Sequence, residues 1–455
     1  MSVLGEVFIS STPFAKYIAV VNSYGHATIL HAETVGRESM VGDIWLAKVI
    51  RPVPGHEAVF VSLGESRIAM LKGKVDPGIY LPVQVVRDNF GEKNPLLTDR
   101  PIFTGRYLIY EPHGKTDRVS RNIDDPKSKN KLMEILGEIH RSKGAFIARR
   151  LSNAANYDIL KEEARMLVAC AQETEFKAAT SSSQQLLFSS GGLVGRIFRE
   201  FAEEDKNIWF DDAQVYDNFI NRDFIYSQNI KKWLKFSPEV DLFERYDLNS
   251  QWSKSLEPYV SLPSGGKLII EETNACTTID VDSGVKKKIN SPKTACYEAI
   301  TVSAAEIIRR NLAGLITIDL PLAYGKKETN KLCNLMKSEL AKDRIQFDVL
   351  GITNGGLLEV TRRRIGQSLL HSVTKQDIKF PWLSRIWRPE ITAHQLLCQA
   401  RREVASGSAS VTIYANPIVV ELFSEPNSIS NWLNANFLIK ENASLSHDNF
   451  EVHGR

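Results

Sequence analysis

Two aspartates, Asp280 and Asp319, stand near the ends of short apolar runs, CTTIDV and GLITIDL. Such runs are typical of buried strands, and the ligands of open α/β sheets usually sit beyond the carboxyl ends of the strands. Two carboxylates brought close together repel each other unless a cation neutralises them, and a hard divalent ion such as Mg²⁺ is the natural partner. The pattern therefore predicts a magnesium site suited to phosphodiester hydrolysis. A turn or a helix cap is the ordinary alternative for an aspartate at a strand end.

Two basic runs, Lys286 to Lys288 and Arg362 to Arg364, could meet an anionic polymer near these aspartates. A solvated loop or helix face is the simpler explanation of each run. The formal net charge of +3 neither demands nor excludes an anionic partner, so local context has to decide.

The elements that would position the aspartates lie between about residues 256 and 370, where strand and helix patterns alternate. Strands at 267 to 282, a helix at about 294 to 311, and the later strand GLITIDL predict a layered α/β domain. Upstream, the short segments DIWLAKVIRPV, EAVFVSL, IAMLKG and IYLPVQVV predict a small β-barrel of OB type. Helical periodicity follows in KNKLMEILGEIHRS and NYDILKEEARMLVACAQETEF.

Composition limits the class of protein. At 455 residues the chain has room for roughly three domains. Its hydrophobic fraction of 43% and charged fraction of 24% are those of a soluble globular protein, and no membrane span is expected. The start MSVLGEVFIS lacks the pattern of a secretory signal, and the five cysteines are scattered without a CxxC motif. These features predict a cytoplasmic protein without a disulfide framework.

The segment LPSGGKLIIEETNACTTIDVDSG, followed by YEAI, NLAGLITIDL and GGLLEVTRRR, resembles the catalytic region of the ribonuclease E/G family. These are bacterial endoribonucleases that act on single-stranded RNA. VGDIWLAKVIRPVPGHEAVFVSLG resembles the start of the family's OB-fold RNA-binding domain, and GRYLIYEP and RVSRNI resemble the segment after it. The resemblance implies a magnesium-dependent endoribonuclease that cleaves A/U-rich RNA in rRNA and mRNA processing and decay. Its products would carry 5′-phosphate and 3′-hydroxyl ends.

The resemblance also implies an α/β multidomain chain. Its parts would be RNase H-like and DNase I-like α/β subdomains and an inserted OB-fold β-barrel. The stretch FPWLSRIWRPE predicts a linker, and the patterns of AHQLLCQARREVAS and SVTIYANPIVVELF after it predict a small C-terminal α/β domain. The expected boundaries are 1–37 and 194–255 for the RNase H-like subdomain, 38–118 for the OB-fold, 119–193 for a 5′-end sensor-like region, 256–375 for the DNase I-like catalytic subdomain, 376–389 for a linker and 390–455 for the C-terminal domain.

By this resemblance Asp280 and Asp319 fall on the family's two magnesium-binding aspartates and are the expected catalytic residues. Asp282 stands where the family usually has an asparagine that organises the metal site. We expect Asp282 to belong to the metal site, where its added charge either tightens metal binding or misplaces the water.

Phe60 matches an aromatic position that stacks on RNA bases in the family, although a phenylalanine in the barrel core is the alternative. Met70 stands where a second aromatic is usual. Lys93, in GEKNPLLT, matches a lysine that contacts the RNA backbone, and a solvated loop lysine is the alternative. The remaining residues expected to contact RNA are Arg121, Lys286, Arg362 and Arg363.

Arg149, in FIARRLS, corresponds to an arginine that holds a 5′-monophosphate in family members with a VRT motif. Here Arg150 replaces the threonine hydroxyl that follows it. Arg149 could still bind a phosphate through two hydrogen bonds, and a salt-bridged arginine explains the residue equally well.

Many family members carry a CPxC motif that holds zinc between two subunits, and this chain has HSVTKQDIKFPWLSRIWRP at that place. Without cysteines a zinc clamp is not expected, so any homodimer or higher homo-oligomer would form without one. Phe380, Trp382, Ile386 and Trp387 should then pack either on the chain's own core or on a second subunit.

Departures from the family pattern leave a second class of function open. Met70, Asp282, Arg150 and the missing cysteines would also suit an RNA-binding protein or a ribosome-assembly factor with weak or no cleavage activity. The presence of both Asp280 and Asp319 favours the enzyme.

Overall fold

The computed structural model describes residues 5–89, 94–121, 123, 125–202, 206–221, 231–238, 241–284, 292–320, 325–377, 384–424 and 426–455. The chain divides into two compact units. One comprises Met1–Arg37, Phe201–Tyr216 and Leu234–Arg455, and the other comprises Glu38–Glu200 and Asp217–Trp233. Within the described residues, every helix is too short or too polar to cross a membrane.

The first unit begins with three largely buried strands: β1 (Glu6–Ser11), β2 (Ala15–Val21) and β3 (Ala27–Thr34). β2 and β3 form a hairpin, and Gly25 in its turn has φ 79°, a conformation that glycine adopts without strain.

The second unit contains the barrel strands β4 (Ile44–Pro52), β5 (Ala58–Gly64), β6 (Arg67–Lys72), β7 (Tyr80–Arg87) and β8 (Leu96–Thr98). They pair in the order β4-β5-β6-β8-β7, and β7 pairs back with β4, so the sheet closes. Alternate residues such as Val59, Val61, Leu71 and Val83 fill the interior. The prediction of a small OB-like barrel is confirmed.

The same unit continues with a small sheet and its helices: β9 (Phe103–Thr104), β10 (Leu108–Glu111), β11 (Arg118–Val119), α1 (Pro126–Glu138), β12 (Ala145–Ala148), a 3₁₀ turn (Arg150–Asn153), α2 (Tyr157–Thr180) and β13 (Gln185–Phe188). The strand order is β11-β12-β10-β9, and β13 pairs with β4. Buried residues of α1 and α2, such as Leu136 and Leu160, pack with Tyr110 and Phe146 of the sheet. Both predicted helices are confirmed.

Alternating helices and strands follow: α3 (Gly192–Phe201), β14 (Ile208–Phe210), α4 (Ala213–Ile220), β15 (Leu234–Phe236), α5 (Leu242–Arg245) and α6 (Leu248–Leu256). β14 lies parallel to β1 and to β15, which completes a five-stranded mixed sheet of order β15-β14-β1-β2-β3. Tyr17 of this sheet stacks on Trp252 of α6, with ring centroids 4.1 Å apart.

The next layer consists of β16 (Tyr259–Ser261), β17 (Lys267–Glu272), β18 (Thr277–Asp282), α7 (Pro292–Arg309), β19 (Gly314–Asp319), α8 (Lys326–Leu340), β20 (Phe347–Ile352) and β21 (Leu357–Arg362). The six strands run in the order β16-β17-β18-β19-β21-β20. α7 packs on α8 and contacts β17 and β18, while α8 contacts β20. One face of the sheet is buried, through residues such as Ile279, Ile316 and Leu358, and this is the layered α/β domain that the sequence predicts.

The chain ends with α9 (Leu369–Val373), β22 (Thr374–Gln376), β23 (Arg385–Trp387), α10 (Pro389–Ala405), β24 (Ser410–Ala415), α11 (Pro417–Val420), α12 (Pro426–Leu433), β25 (Asn436–Glu441) and β26 (Phe450–Gly454). β24 is the central strand of a three-stranded sheet.

The segment predicted as a linker includes β23, which pairs antiparallel with β22 at the start of the segment. Trp387 packs against the buried core of its own chain, which is the first of the two alternatives for the apolar residues of this segment. Phe380 and Trp382 lie outside the described residues.

Candidate active site

Asp280 and Asp319 are neighbours across two parallel strands. β18 and β19 run in the same direction, and their register pairs Asp280 directly with Asp319. Adjacent strands are about 4.8 Å apart, so the two carboxylates stand side by side. Both residues are exposed, and neither side chain has a hydrogen-bond or ion-pair partner among the described residues. The structure therefore brings together the two aspartates that the sequence singles out.

Alternation along β18 and β19 explains why these aspartates reach solvent. Ile279 and Ile318, the residues just before them, are buried against the helical layer, so Asp280 and Asp319 must point to the open face. Gly266 helps to hold the end of β18, since a Cβ at Gly266 would lie 2.4 Å from the backbone oxygen of Asp282. The LPSGG turn thus depends on a residue without a side chain at this position.

Asp282 lies on the same face but does not join the pair. One carboxylate oxygen, Oδ1, accepts a hydrogen bond from the Gly284 N–H at 3.0 Å, and Oδ2 is 3.8 Å from Lys267 Nζ. Over the described part of the chain, no three or more His, Cys, Asp or Glu side chains are grouped so as to hold a metal. Asp282 as a metal ligand stays a prediction: in the described structure its carboxylate accepts from a turn N–H and faces a lysine.

The donor chemistry of Asp280 and Asp319 fits Mg²⁺. This ion is usually bound by one or two carboxylates and keeps several waters, so it does not need a cage built entirely from protein. Two exposed carboxylates without protein partners meet that requirement. Thiolate and imidazole ligands, which softer metals prefer, are not involved in this pair.

Phe60 lies on the outer face of the barrel. Its neighbours along β5, Val59 and Val61, are buried inside, so alternation points the Phe60 ring outward. Arg51 and Met70 are its register partners on either side, and the Arg51 guanidinium carbon is 4.9 Å from the ring centroid. The alternation of β5 thus places Phe60 outside the barrel core, and its register partner on β6 is Met70 instead of a second aromatic residue.

A second pairing of a basic and an aromatic residue lies on the same barrel and was missed from the sequence. Lys48 of β4 is in register with Tyr80 of β7, and its ammonium nitrogen is 5.6 Å from the ring centroid. Both side chains are exposed. The pair could have been found by counting the register between β4 and β7, but these strands are distant in sequence and no local pattern joins them.

Arg149 is engaged by its own chain. Its guanidinium forms an ion pair with Glu200 at 2.5 Å and donates a hydrogen bond to the Gly105 carbonyl oxygen at 2.5 Å. Only 12% of the side chain is exposed. Of the two alternatives for Arg149, the described structure has the salt-bridged arginine, and binding of a 5′-phosphate would require this pair to open. Arg150, next to it, is exposed.

Arg362 and Arg363 have opposite environments. Arg362 is 3% exposed, and its guanidinium donates to Asp343 Oδ2 at 2.6 Å and to Asn311 Oδ1 at 2.9 Å. The prediction that Arg362 lies along the RNA backbone is corrected, because the alternation of β21 places this side chain on the buried face with Val360. Arg363 is exposed and remains a candidate for RNA contact.

The other predicted RNA-binding residues divide into two groups. Arg121 is exposed, as an RNA-contacting residue must be. Lys93 and Lys286 lie outside the described residues.

Two residues beside the aspartate pair also escaped the sequence analysis. Lys267 lies opposite Asp282 in the β17–β18 hairpin, and its ammonium nitrogen is 5.3 Å from the centroid of the Tyr259 ring. The hairpin itself carried the signal: once its turn is placed near Asn274, counting outward pairs Lys267 with Asp282.

Comparison with known proteins agrees with the geometry. Residues 102–365, more than half of the chain, match the model of the Ribonuclease E/G family. Ribonuclease G of Salmonella typhimurium and Ribonuclease G of Escherichia coli are each 25% identical to this chain over 448 residues, covering 91% of this chain and 91% of each relative. Ribonuclease E of Synechocystis sp. is 27% identical over 362 residues, covering 72% of this chain and 53% of that protein. The chain belongs to the ribonuclease E/G family.

Proposed function

We propose that this chain is a magnesium-dependent endoribonuclease. It cleaves single-stranded, A/U-rich RNA in the processing and decay of rRNA and mRNA, and it leaves 5′-phosphate and 3′-hydroxyl ends. The observation that carries the proposal is the in-register pair of exposed, unpartnered carboxylates, Asp280 and Asp319, in a chain of this family.

Asp280 and Asp319 would hold the ion. When bound there, Mg²⁺ supplies charge for a phosphoryl oxygen and lowers the pKa of a water. The chain contributes the positions of the two carboxylates, which are fixed because the hydrogen bonds between β18 and β19 set the register. Ile269 and Leu357, the cross-strand neighbours of the pair, flank it with apolar surface. Such flanks lower the local dielectric constant and strengthen the attraction between carboxylates and a cation.

The barrel supplies a surface for single-stranded RNA. The half-buried ring of Phe60 and the exposed ring of Tyr80 each lie beside a cation, Arg51 and Lys48 respectively. Base stacking on aromatic rings tolerates any sequence, and basic side chains bind the phosphates in a salt-dependent manner. Arg121, which is exposed, and Lys93 are further residues proposed to contact RNA.

The proposal includes the finer architecture of the family. The mixed sheet of order β15-β14-β1-β2-β3 would be the RNase H-like subdomain, and the layer from β16 to β21 would be the DNase I-like catalytic subdomain. A cytoplasmic location and a homo-oligomer without a zinc clamp also belong to the proposal.

The alternative is an RNA-binding protein with little or no cleavage activity. The observation that favours it is Asp282, since this acid stands two residues from Asp280 on the same face and adds negative charge where RNA phosphates would approach. Both functions use the barrel surface, so cleavage is the property that separates them.

The test is a cleavage assay on a labelled A/U-rich single-stranded RNA, with magnesium and with EDTA. We expect cleavage in magnesium alone, with products that carry 5′-phosphate and 3′-hydroxyl ends. Asp348→Asn, which alters an exposed aspartate on β20, serves as a matched control and should cleave like the unmodified protein. Cleavage in EDTA would contradict the metal dependence, and tight RNA binding without cleavage under any condition would favour the alternative.

A further inference from the structure

We infer that Tyr259 and Lys267 form a nucleotide subsite beside the aspartate pair, in which the Tyr259 ring stacks on the base of a nucleotide next to the scissile phosphate. This inference rests on the proposed function, because it takes Asp280 and Asp319 as the place of cleavage. It adds the chemical class of the ligand that Tyr259 and Lys267 would bind, an unpaired RNA base.

The first observation is a straight row of residues across the open face. Tyr259 is in register with Ile269, Ile269 with Asp280, and Asp280 with Asp319. Tyr259 is therefore two strands from Asp280, which is about 10 Å in the direction across the sheet. An RNA strand that lies across the sheet with a phosphate at the aspartates brings a neighbouring base to Tyr259.

The second observation is the exposure of the ring. Tyr259 is 56% exposed, on a short strand at the edge of the sheet. A large apolar ring left in water on the same face as the aspartate pair is available for stacking, and every RNA base offers a face to stack on.

The third observation is that Lys267 lies between the Tyr259 ring and the carboxylate of Asp282. Its ammonium nitrogen is 5.3 Å from the Tyr259 ring centroid and 3.8 Å from Asp282 Oδ2. A cation over a ring is attracted by the π-electrons and covers one face of the ring, which leaves the other face for the base. The same charge offsets Asp282, so that the phosphates of RNA meet less repulsion at this edge.

The experiment measures stacking directly. An A/U-rich single-stranded RNA carries the fluorescent base 2-aminopurine at successive positions around the mapped cleavage site, and binding to the full chain is followed in EDTA. We expect quenching at a position adjacent to the cut in the unmodified protein and in Tyr259→Phe. Tyr259→Leu should lose that quenching and bind the RNA about five- to a hundredfold more weakly.

Tyr24→Leu is the matched control, since Tyr24 is also an exposed tyrosine of the same unit but belongs to the β2–β3 turn. It should bind and quench as the unmodified protein does. Equal quenching by Tyr259→Leu and the unmodified protein at every probe position would overturn the subsite, as would an equal loss in Tyr259→Phe and Tyr259→Leu. Failure of the proposed function looks different: the unmodified protein would then leave the RNA uncut in magnesium, or Asp280→Asn would cleave it normally, whatever Tyr259 does.

Discussion

Lys267 stands directly opposite Asp282 across the β17–β18 hairpin, with its ammonium nitrogen 3.8 Å from a carboxylate oxygen of Asp282. Asp282 is itself two residues from Asp280 on the same face of the sheet. This part of the open face thus carries three carboxylates, those of Asp280, Asp282 and Asp319, and one ammonium group. Lys267 offsets the charge of Asp282, the carboxylate outside the Asp280–Asp319 pair. Both partners are about half exposed, so the pair contributes little to folding stability and acts mainly on the local potential.

The first prediction concerns this charge balance. Lys267→Gln leaves Asp282 without its counter-charge, so the edge becomes more negative and Mg²⁺ should bind about three- to tenfold more tightly. Asp282→Asn leaves Lys267 in excess, so Mg²⁺ should bind more weakly by a similar factor. The double variant restores the net charge and should return to nearly the original affinity. Isothermal titration with Mg²⁺ at low ionic strength measures all four proteins.

Ionic strength provides the control for this comparison of the four proteins. Because both side chains are exposed, the two single effects should shrink as ionic strength rises and the Debye length shortens. Single variants that shift the Mg²⁺ affinity in the same direction would contradict charge balance and indicate a structural change instead.

The second prediction concerns catalysis. Asp280→Asn or Asp319→Asn should lower turnover at least about a hundredfold, because each removes a carboxylate that would hold the ion. RNA affinity measured in EDTA should change little, since the barrel surface is left intact. Turnover close to that of the unmodified protein in either variant would remove the pair from the mechanism.

The third prediction concerns the barrel. Phe60→Ala should weaken RNA binding by about 1–3 kcal/mol, since it removes a stacking ring from the outer face. The same change should leave thermal stability nearly unaltered, because the ring lies outside the barrel core. Leu63→Ala, on the same strand but directed inward, is the matched control and should cost about 2–5 kcal/mol of stability. Unchanged RNA affinity in Phe60→Ala would contradict the stacking role.

Local patterns in the sequence placed Asp280 and Asp319 at strand ends, because period-two alternation is encoded by neighbouring residues, but only the resemblance to the ribonuclease E/G family favoured a metal site over a turn or a helix cap. The strands of the barrel were predictable for the same reason. Arg362 was misjudged because three consecutive arginines resemble a surface run, whereas β21 turns the first of them toward Asp343 and Asn311. These partners are 19 and 51 residues away in sequence, and only the folded sheet brings them together.

The fourth prediction separates the two arginines. Arg362→Met leaves the fully buried Asp343 carboxylate without its cation, which should lower the free energy of unfolding by about 3–5 kcal/mol. Arg363→Ala alters an exposed side chain and should change stability by less than about 0.5 kcal/mol. If Arg363 contacts a phosphate, its removal should reduce the salt dependence of RNA binding by about one unit of slope. Chemical denaturation and RNA titration over a range of salt measure the two effects, and a stable Arg362→Met would refute the buried-pair argument.

The last prediction concerns acid stability and a buried histidine. His394 of α10 is 1% exposed, its Nδ1 lies 3.0 Å from Thr12 Oγ1, and its ring lies 4.1 Å from that of Tyr17. Burial, aided by the nearby Arg401 charge, lowers the pKa of His394 from 6.5 to about 3. The folded state therefore keeps the imidazole neutral, while the unfolded chain takes up a proton below about pH 6.5.

The contribution of His394 to the free energy of unfolding is thus fully present above about pH 6.5, the pKa of the unfolded chain. It is lost as the pH falls below this value, and the loss is about 2 kcal/mol at pH 5. Asp211 acts in the opposite direction, because burial raises its pKa to about 6 and its protonation favours the folded state as the pH falls. The histidine contribution must therefore be isolated by comparing a variant with the unmodified protein.

His394→Gln should lose stability at pH 7 but show a flatter decline between pH 7 and pH 5 than the unmodified protein. His26→Gln, which alters an exposed histidine, should keep the original profile. Parallel profiles for His394→Gln and the unmodified protein, from urea denaturation at each pH, would show that His394 does not control acid stability.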